Sequence, residues 1–453
     1  MKIVLATHHF PPHYNAGGEQ YAYRIAQGLR RRDHEIEIVC VESITEGTLR
    51  PACATDVYEG LTVHRLYFDI RRAPNLFEWN YRNPELGRWF GSFLERSSPD
   101  LVHVNSGYLL GGTVAEAAFA RDIPTLLTMH DYWFVCHLIT LLRQDGRICD
   151  EPVPPARCVW CSLSGQRRYR LPDKWVYSRL GDGFVRFVGL SRSNLMPRLA
   201  GVAARVEQVE DRRRYLKRIL ETFDVVISPS RFLIQKVEEY GLKPRRMVYL
   251  PFGLDQAHLS SPGPGAPSTA LRIGYLGQFA PHKGVHLLMD AFQGLAKPPR
   301  SCQLVLHGDI SNGSAYERRL LRIARRDPDV TFAGPYPNHT VGRVLAGLDV
   351  IVVPSTWYEN RPTVIVEAHA TQTPVVAARL GGMAELITHD ENGLLFEVGS
   401  VPSLRDQLQR LLDEPSLLPK LRQGIQPVPT VEEEIATIER MYRSLLTARS
   451  TGS

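Results

Sequence analysis

Two glutamates have a spacing and a setting that suit chemistry. Glu359 and Glu367 lie eight positions apart in YENRPTVIVEAHATQTPVV, residues 358–376. The apolar run LDVIVVPS before them predicts a buried strand, so Glu359 falls where the strand ends and Glu367 falls inside the following helix. Ligands of parallel sheets bind beyond the carboxyl ends of the strands. This carboxylate pair can accept hydrogen bonds from hydroxyl groups, act as a general acid and base, or merely supply a capping charge and a surface residue.

The start of the helix between these glutamates predicts an anion site. Pro362 suits the first helical position, because the N–H group that proline lacks would have no partner there. With Asn360 or Arg361 as the cap, the N–H groups of Thr363 and Val364 are left to bind an anion. A diphosphate bound here would carry a hydroxyl-bearing group on each side, one for each carboxylate.

Two glycine-containing loops predict further anion contacts. In HHFPPHYNAGGEQYAYRIAQGLRRR, Gly17 and Gly18 open a helix after a strand, where glycine lets backbone N–H groups approach a ligand closely. In YLGQFAPHKGVHLLMDAF, Lys283 stands beside a helix N-terminus and adds a point charge to the helix dipole. The first loop lacks the three-glycine spacing of dinucleotide-binding folds, which argues against a nicotinamide-dependent dehydrogenase.

The composition is that of a soluble globular protein. The chain has 453 residues, of which 43% are apolar and 23% charged, and this length favours two domains. It contains no apolar run of membrane-spanning length, and the start MKIVLATHHFPP predicts a first buried strand rather than a signal peptide. Seven cysteines, an odd number, are typical of a reducing compartment. We therefore expect a cytoplasmic protein.

Both halves of the chain alternate short apolar runs with amphipathic segments of helical period. In the first half the candidate strands are KIVLAT, EIEIVCV, LVHVN, PTLLTMH, FVGLS, VVISPS and RMVYLP. In the second half they are LRIGYLG, QLVLHG, VTFAG, VIVVPS, PVVAA and GLLFEV. The alternation predicts an α/β fold with two doubly wound parallel sheets.

The domain boundaries follow from the same pattern. The Ser-, Pro- and Gly-rich segment 256–270 has no period and is typical of a linker. We expect an N-terminal domain over residues 1–255 with a cysteine-containing insert near 136–161. A C-terminal domain would follow over 271–428, with a final helix and tail over 429–453. Two such domains would face each other across a cleft.

Four cysteines of the insert have spacings that suit a metal. They follow the pattern C-x12-C-x8-C-x2-C, and they are Cys136, Cys149, Cys158 and Cys161. A C-x2-C pair is a zinc-knuckle spacing, and two further thiols would complete a tetrahedral site. The surrounding segment is rich in proline, so a metal could order what packing does not. The hypotheses are a structural zinc ion, or free or redox-labile thiols.

Positive charge is concentrated in residues 151–250. The chain carries a net charge of +6, and this region holds 20 Lys/Arg against 10 Asp/Glu. Runs such as GQRRYR and EDRRRYLKR predict either a solvated helix face or a patch that meets anionic lipid headgroups or a phosphorylated acceptor. The second interpretation would place the protein peripherally at the inner face of a membrane. We expect no nucleic-acid partner.

The ordered set of motifs resembles the retaining glycosyltransferases of family 4, which have the GT-B fold of two Rossmann-like domains. In the second half the matching pieces are GYLGQFAPHKG, VTFAG, LDVIVVPS, the Glu-x7-Glu pair of ENRPTVIVE, TPVVAARLGGMAELI and ENGLLF. In the first half they are AGGEQYAYRIAQGL, LVHVN, TMHD, VISPSRF and LPFGLD. The resemblance covers most of the chain.

The resemblance implies a role for several residues. Glu367 would accept hydrogen bonds from the ribose and Glu359 from the donor sugar, Lys283 would hold the diphosphate, and His130 of TMHD would lie beside the anomeric centre. His130, Lys283 and Glu359 would be catalytic. The other donor-binding residues implied are Gly17, Gly18, Gln278, Asn360, Arg361, Thr363 and Val364.

The sequence departs from the family pattern at two places. Gln278, a neutral amide, stands where many members have arginine. Asn360, Arg361 and Pro362 stand where many members have Gly-Phe-Gly after the first glutamate. We hypothesise that Arg361 restores the cation missing at position 278, since a leaving diphosphate needs more than one lysine to balance its charge.

The resemblance implies transfer of a sugar from a UDP- or GDP-sugar to the hydroxyl of a saccharide or lipid-linked acceptor, with retention and without a catalytic metal. Such a reaction belongs to the biosynthesis of glycans, glycolipids or polysaccharides. The alternatives are a GT-B nucleotide-sugar epimerase, a phosphorylase with lysine-bound pyridoxal phosphate, and a non-catalytic protein that binds sugar nucleotides or glycans.

Overall fold

The computed structural model describes residues 1–165, 197–255, 259, 270–296, 302–311 and 313–450. The chain forms two compact units. The first unit contains Met1–Pro229, Leu233–Pro251 and Glu432–Ser453, and the second contains Ser230–Phe232 and Phe252–Val431. The strand predicted at FVGLS and most of the predicted linker lie outside the described residues.

The first unit is built on an eight-stranded sheet with the order β3-β4-β2-β1-β5-β6-β7-β8. Its strands are β1 (Lys2–Thr7), β2 (Glu35–Ser43), β3 (Ala52–Tyr58), β4 (Leu61–Tyr67), β5 (Leu101–Asn105), β6 (Thr125–Thr128), β7 (Val225–Ser228) and β8 (Met247–Tyr249). The neighbouring strands pair in parallel, apart from β3, which pairs antiparallel with β4. The sequence did not indicate β3 or β4.

Helices cover this sheet. Up to residue 239 they are α1 (Gly17–Arg30), α2 (Leu76–Trp79), α3 (Pro84–Ser97), α4 (Thr113–Phe119), α5 (Pro155–Ser164), α6 (Pro197–Thr222) and α7 (Arg231–Glu239), with a 3-10 turn at Ile70–Arg72. The start of α3 shows why these segments are helical. The side chain of Asn83 caps the first turn, and Pro84 takes the position where its missing N–H group costs nothing.

The second unit has a six-stranded parallel sheet with the order β11-β10-β9-β12-β13-β14. Its strands are β9 (Leu271–Leu276), β10 (Cys302–His307), β11 (Val330–Gly334), β12 (Val350–Val353), β13 (Val375–Ala378) and β14 (Gly393–Phe396). The twelve predicted strands that fall on described residues are therefore confirmed. The α/β architecture of two largely parallel sheets predicted from the alternating pattern is confirmed as well.

The remaining helices follow in chain order. They are α8 (Val285–Gln293), α9 (Ala315–Ala324), α10 (Val341–Ala346), α11 (Thr363–Ala370), α12 (Gly381–Leu386), α13 (Val401–Asp413), α14 (Leu417–Gly424) and α15 (Val431–Ser450), with 3-10 turns at Pro281–Lys283 and Asn338–Thr340. Helix α9 begins with a capping box, in which Ser314 and Glu317 each bond the other's backbone N–H group.

The position of the candidate site follows from the pairing of β9 with β12. All four residues of β12 are buried, as expected for a strand covered on both faces. Because β9 and β12 are parallel neighbours, the loops that follow Leu276 and Val353 leave the sheet at the same edge. The first loop carries Lys283 and the second carries Glu359.

The C-terminal helix α15 packs on the first unit. The hydroxyl group of Tyr442 lies 2.6 Å from Nδ1 of His103, whose Nε2 lies 2.8 Å from the hydroxyl of Thr128. A Cβ atom on Gly28 would lie 1.9 Å from the terminal methyl of Ile435, so α1 and α15 approach closely at this glycine. The helix therefore belongs to the core of the first unit, although it follows the second unit in the chain.

Candidate active site

A close approach of two loops places Lys283 beside the end of β12. Gly284 follows the 3-10 turn with φ of 70°, and a Cβ atom there would lie 1.9 Å from the carbonyl oxygen of Pro354. Glycine satisfies both the backbone conformation and the contact. The N–H group of Thr356 donates to the carbonyl of His282 at 2.8 Å. These contacts hold the lysine loop against the loop that carries Glu359.

Three donors converge on one carboxylate oxygen of Glu359. Its Oε1 accepts from Nζ of Lys283 at 2.7 Å, from the hydroxyl of Ser355 at 2.9 Å and from Nε1 of Trp357 at 2.8 Å. The ammonium of Lys283 also lies 5.0 Å from the ring centroid of Trp357, a cation–π contact. The structure thus brings together Lys283 and Glu359, which the sequence analysis placed in one site. No sequence motif indicated that Ser355 and Trp357 would join them.

The start of α12 contacts the backbone around Glu359. The N–H group of Gly382 donates to the carbonyl of Glu359 at 2.9 Å. A Cβ atom on Gly382 would lie 1.7 Å from the carbonyl oxygen of Asn360, so no other residue fits without moving the loop. The side chain of Asn360 accepts a hydrogen bond from the hydroxyl of Ser230. Asn360 therefore anchors the loop.

Helix α11 begins one residue later than the sequence analysis predicted. Pro362 is the N-cap residue, with φ of −66°, and Thr363 is the first helical residue. The prediction that Asn360 or Arg361 caps the helix is therefore wrong. In the described part of the chain, no acceptor bonds the N–H groups of Thr363 and Val364. They stay available for an anion at the helix N-terminus, as expected.

A cavity of about 510 Å³ opens at the ends of β9, β10 and β11. Gln278 lines it with an exposed side chain, and its carbonyl accepts a hydrogen bond from Tyr275 at 2.7 Å. Tyr336 lines the cavity as well, and burial together with the charge of Glu367 raises its pKa to about 12. Glu367 is half-buried in α11. The cavity and this second glutamate therefore belong to the same end of the sheet.

Arg361 is half-buried, and its charge acts on a neighbour in α11. Burial, and then the guanidinium of Arg361, lower the pKa of His369 to about 4. The imidazole is therefore neutral near pH 7, so the arginine brings the positive charge in this corner of the site. Whether Arg361 replaces the cation missing at position 278 stays a prediction.

The first unit holds the predicted histidine in a polar cluster. His130 follows β6, and its Nε2 is bonded to Oδ1 of Asn105 at the end of β5. Burial lowers the pKa of His130 to about 3, so the ring is neutral over the physiological range. The amide of Asn105 also donates to the carbonyl of Gly18 at 3.2 Å. No sequence motif singled out Asn105, because its role depends on the pairing of β5 with β6.

The two glycines at the start of α1 differ in their surroundings. A Cβ atom on Gly17 would meet open space, whereas one on Gly18 would lie 3.0 Å from the ring of His8. That ring lies 3.2 Å from the carboxylate of Glu19. Burial raises the pKa of Glu19, but the hydrogen bond with His8, a backbone hydrogen bond and nearby positive charge together lower it below its usual value. The binding of a donor by either glycine stays a prediction.

The four cysteines of the insert line one small cavity of about 30 Å³. Burial raises the pKa of the Cys136 and Cys158 thiols, and it raises that of Cys161 to about 12. Across the described residues, no group of three or more His, Cys, Asp or Glu side chains is arranged to hold a metal ion. The hypothesis of a structural zinc site at Cys136, Cys149, Cys158 and Cys161 therefore gains no support from this geometry and stays a prediction.

The basic run EDRRRYLKR lies on α6 and faces partly inward. Arg212 is buried, bonds the carbonyl of Trp133 and lies 5.4 Å from the ring centroid of that residue. Arg213 bonds the carbonyl of Val153 at 2.8 Å, and Arg218 pairs with Glu116 at 2.8 Å. The run is therefore not a free basic face, and the predicted membrane contact through residues 151–250 has no support here. GQRRYR lies almost wholly outside the described residues.

Comparison with known proteins identifies the family. A family model described as "Glycosyl transferase 4-like domain" matches residues 16–253, and one described as "Glycosyl transferases group 1" matches residues 270–414. The chain belongs to the GT4 type of GT-B glycosyltransferases. The family predicted from the ordered motifs is therefore confirmed.

Curated relatives of this glycosyltransferase differ in how much they share with it. The D-inositol 3-phosphate glycosyltransferase of Corynebacterium urealyticum is 30% identical over 344 residues, which are 70% of this chain and 75% of that protein. The putative teichuronic acid biosynthesis glycosyltransferase TuaC of Bacillus subtilis is 23% identical over 90% of this chain and 89% of its own. A D-inositol 3-phosphate glycosyltransferase of Corynebacterium efficiens is 31% identical over 45% of this chain. The chain spans about half the length of that relative and of several others that it matches.

Solved structures share the fold of this glycosyltransferase. Sucrose-phosphate synthase from Thermosynechococcus elongatus aligns with a TM-score of 0.65 at 19% identity over 99% of this chain and 100% of that one. Anabaena Alr3699/HepE in complex with UDP-glucose aligns with a TM-score of 0.61 at 18% identity over 99% of this chain and 100% of its own. At these identities the likeness shows the GT-B fold. Within the described residues no helix is both long and apolar enough to cross a membrane.

Proposed function

We propose that the protein transfers a glycosyl group, of the hexosyl class, from a nucleoside diphosphate sugar to an acceptor hydroxyl with retention of anomeric configuration. The observation that carries this proposal is the meeting of Lys283 with Glu359 beside the free first turn of α11. A cation and unpaired N–H groups suit a diphosphate, and a carboxylate suits sugar hydroxyl groups. Relatives named as glycosyltransferases support the same reaction class.

The chemistry expected from these groups is charge stabilisation. Glycosyl transfer passes through an oxocarbenium-like state in which the bond from the anomeric carbon to the diphosphate oxygen lengthens, so negative charge grows on the leaving diphosphate. Lys283 and the N–H groups of Thr363 and Val364 would stabilise that charge in place. The acceptor oxygen would bond to the anomeric carbon on the face that the diphosphate leaves, and its proton would pass to the diphosphate. No step in this scheme needs a catalytic metal.

The donor proposed for the first tests is a UDP-sugar. HepE has been solved with UDP-glucose, and its fold resembles this one. The cavity lined by Gln278 and Tyr336 would take the nucleoside, with Glu367 on the ribose side. A GDP-sugar stays an equal alternative. We propose a saccharide or a lipid-linked saccharide as the acceptor class.

A panel of UDP- and GDP-sugars, screened first for thermal stabilisation of the purified chain and then for release of UDP or GDP, tests the proposal. A donor that binds the folded chain raises the unfolding temperature, and the rise grows with the logarithm of the donor concentration above its Kd. The proposal predicts that one donor stabilises the chain and is hydrolysed slowly in the absence of an acceptor. Absence of stabilisation by every donor would reject it. An isomerised sugar nucleotide without release would indicate an epimerase instead.

A further inference from the structure

The carboxylate of Glu359 is bonded in an unequal way. Three donors reach Oε1, whereas among the described residues no donor reaches Oε2. An ionised carboxylate offers about four lone-pair sites, or about two on each oxygen. Oε1 therefore holds one donor more than its lone pairs accommodate well. If one of the three donors moves away, the other two still satisfy that oxygen.

The three donors differ in how firmly they are held. Ser355 is buried, and it lies four residues before Glu359 in the same loop. Trp357 lies two residues before it, and the ring of His282 packs edge-on against the indole at 5.0 Å. Lys283 reaches Glu359 from the other loop on a flexible side chain. The lysine is therefore the exchangeable donor.

Building on the proposed function, we infer that Ser355 and Trp357 are positioning residues that keep Glu359 oriented when Lys283 moves to the donor diphosphate. Their two hydrogen bonds fill the lone pairs of Oε1 after the lysine leaves. Oε2 then faces the donor sugar and accepts from one of its hydroxyl groups. The ion pair between Lys283 and Glu359 is thereby replaced by two contacts, one between Lys283 and the diphosphate and one between Glu359 and the sugar.

Exchange of the indole N–H proton with solvent tests this inference without any ligand. In protein labelled with 15N-tryptophan, the resonance of Trp357 is assigned by its loss in Trp357→Phe. The bond to Glu359 predicts slow exchange in the wild type, fast exchange in Glu359→Ala, and exchange that stays slow in Lys283→Met. Exchange in Lys283→Met as fast as in Glu359→Ala would overturn the inference, because the lysine would then be what holds the carboxylate.

Calorimetry separates positioning from a general structural role. Trp357→Phe keeps a ring beside Lys283 but loses the N–H donor, and Ser355→Ala loses the hydroxyl. We expect both variants to bind UDP within about two-fold of the wild type and UDP-glucose about 10-fold more weakly, the value of one hydrogen bond to a charged group. GDP and GDP-mannose are measured in parallel. Trp89→Phe, on α3 of the first unit, is the matched control and should change neither affinity.

The outcomes distinguish the two proposals. Equal losses for UDP and UDP-glucose would mean that the variants disturb the whole loop, and an unchanged preference for UDP-glucose over UDP would mean that they do not position Glu359; either result overturns the inference. If the wild type binds none of the four compounds, the proposed function fails. The proton-exchange result then still decides whether Trp357 holds the carboxylate without Lys283.

Discussion

The ammonium of Lys283 lies 2.7 Å from Oε1 of Glu359, so the two loops that follow β9 and β12 are joined by an ion pair. The side chains are 23% and 12% exposed, which shields the pair from much of the solvent screening that weakens surface ion pairs. A diphosphate that takes the lysine must replace this partner. The affinity for a donor therefore depends on how much more strongly the ammonium of Lys283 binds the diphosphate than it binds Glu359.

Arg361→Ala tests whether this arginine supplies the cation missing at position 278. Loss of one donor to the leaving diphosphate commonly lowers turnover by about 10² to 10³. We expect a loss of that order in donor turnover. The pKa of His369 should also rise from its value of about 4, because the positive charge that lowers it is removed. NMR titration of the ring measures the shift.

Arg379→Ala is the control for Arg361. Its side chain is half exposed and lies 3.9 Å from Glu397, outside the loops of the candidate site. Turnover in this variant should stay close to that of the wild type. Equal losses in the two variants would refute the compensating role of Arg361.

Gly382→Ala should displace the loop that carries Glu359. The new Cβ atom would lie 1.7 Å from the carbonyl of Asn360, a backbone atom that cannot rotate away. Overpacking of this kind costs about 1–3 kcal/mol of the free energy of unfolding. We expect that loss in denaturant titrations, together with weaker binding of UDP-sugars.

Gly294→Ala is the matched control, because its Cβ would meet the flexible side chain of Arg405 at 3.1 Å. Its stability should change by less than about 1 kcal/mol. If Gly382→Ala were as stable and as active as Gly294→Ala, the close approach at Asn360 would not exist in solution.

His103 should make the protein less stable in mild acid. Burial lowers the pKa of His103 to about 3, whereas its pKa in the unfolded chain is near 6.5. The imidazole therefore binds a proton less readily in the folded chain than in the unfolded chain. The contribution is fully present above pH 6.5 and is lost as the pH falls from 6.5 towards 3. The slope is at most about 1.4 kcal/mol per pH unit.

His103→Gln should remove that part of the slope between pH 6.5 and 5. Urea unfolding at several pH values measures it. His339→Gln, at an exposed position, serves as the control and should leave the slope as in the wild type. A slope that His103→Gln does not reduce would show that the buried imidazole is not the group that titrates.

Arg65 is buried and ties the loop before α1 to the sheet. Its guanidinium pairs with Glu42 at 3.0 Å and with Asp56 at 2.8 Å, and it donates to the carbonyl of Pro11 at 2.7 Å. Arg65→Met leaves the buried Glu42 without this partner, a change that costs about 3–5 kcal/mol. The exposed Arg72→Met should cost less than about 1 kcal/mol in the same urea titration. Similar values would contradict the anchoring role.

Several features of the fold were predictable because they depend on burial alone. The run VIVVPS reads as a strand, since a parallel strand covered on both faces is apolar throughout. The hairpin of β3 and β4 was missed because six of the seven residues of β3 are exposed and form no apolar run. An exposed edge strand is stabilised by pairing with its neighbour, and that pairing has no signal in its own sequence.

The sequence indicated which residues belong to the candidate site better than it indicated which of them contact one another. The spacing of Glu359 and Glu367 placed both at one end of a sheet. The convergence of Ser355 and Trp357 on one oxygen depends on loop geometry, and the pairing of His130 with Asn105 depends on strand order. The four cysteines of the insert line one cavity, and whether they bind a metal stays a prediction.

The proposed function requires that the loop of Lys283 and the first turn of α11 hold a diphosphate. Titration calorimetry of the wild type and of Lys283→Met with UDP and GDP tests it most directly, with Lys420→Met, at an exposed position, as the control. We expect the wild type and Lys420→Met to bind one of the two nucleotides, and Lys283→Met to bind it about 10- to 100-fold more weakly. No heat of binding from either nucleotide, or equal affinities in Lys283→Met and Lys420→Met, would contradict it.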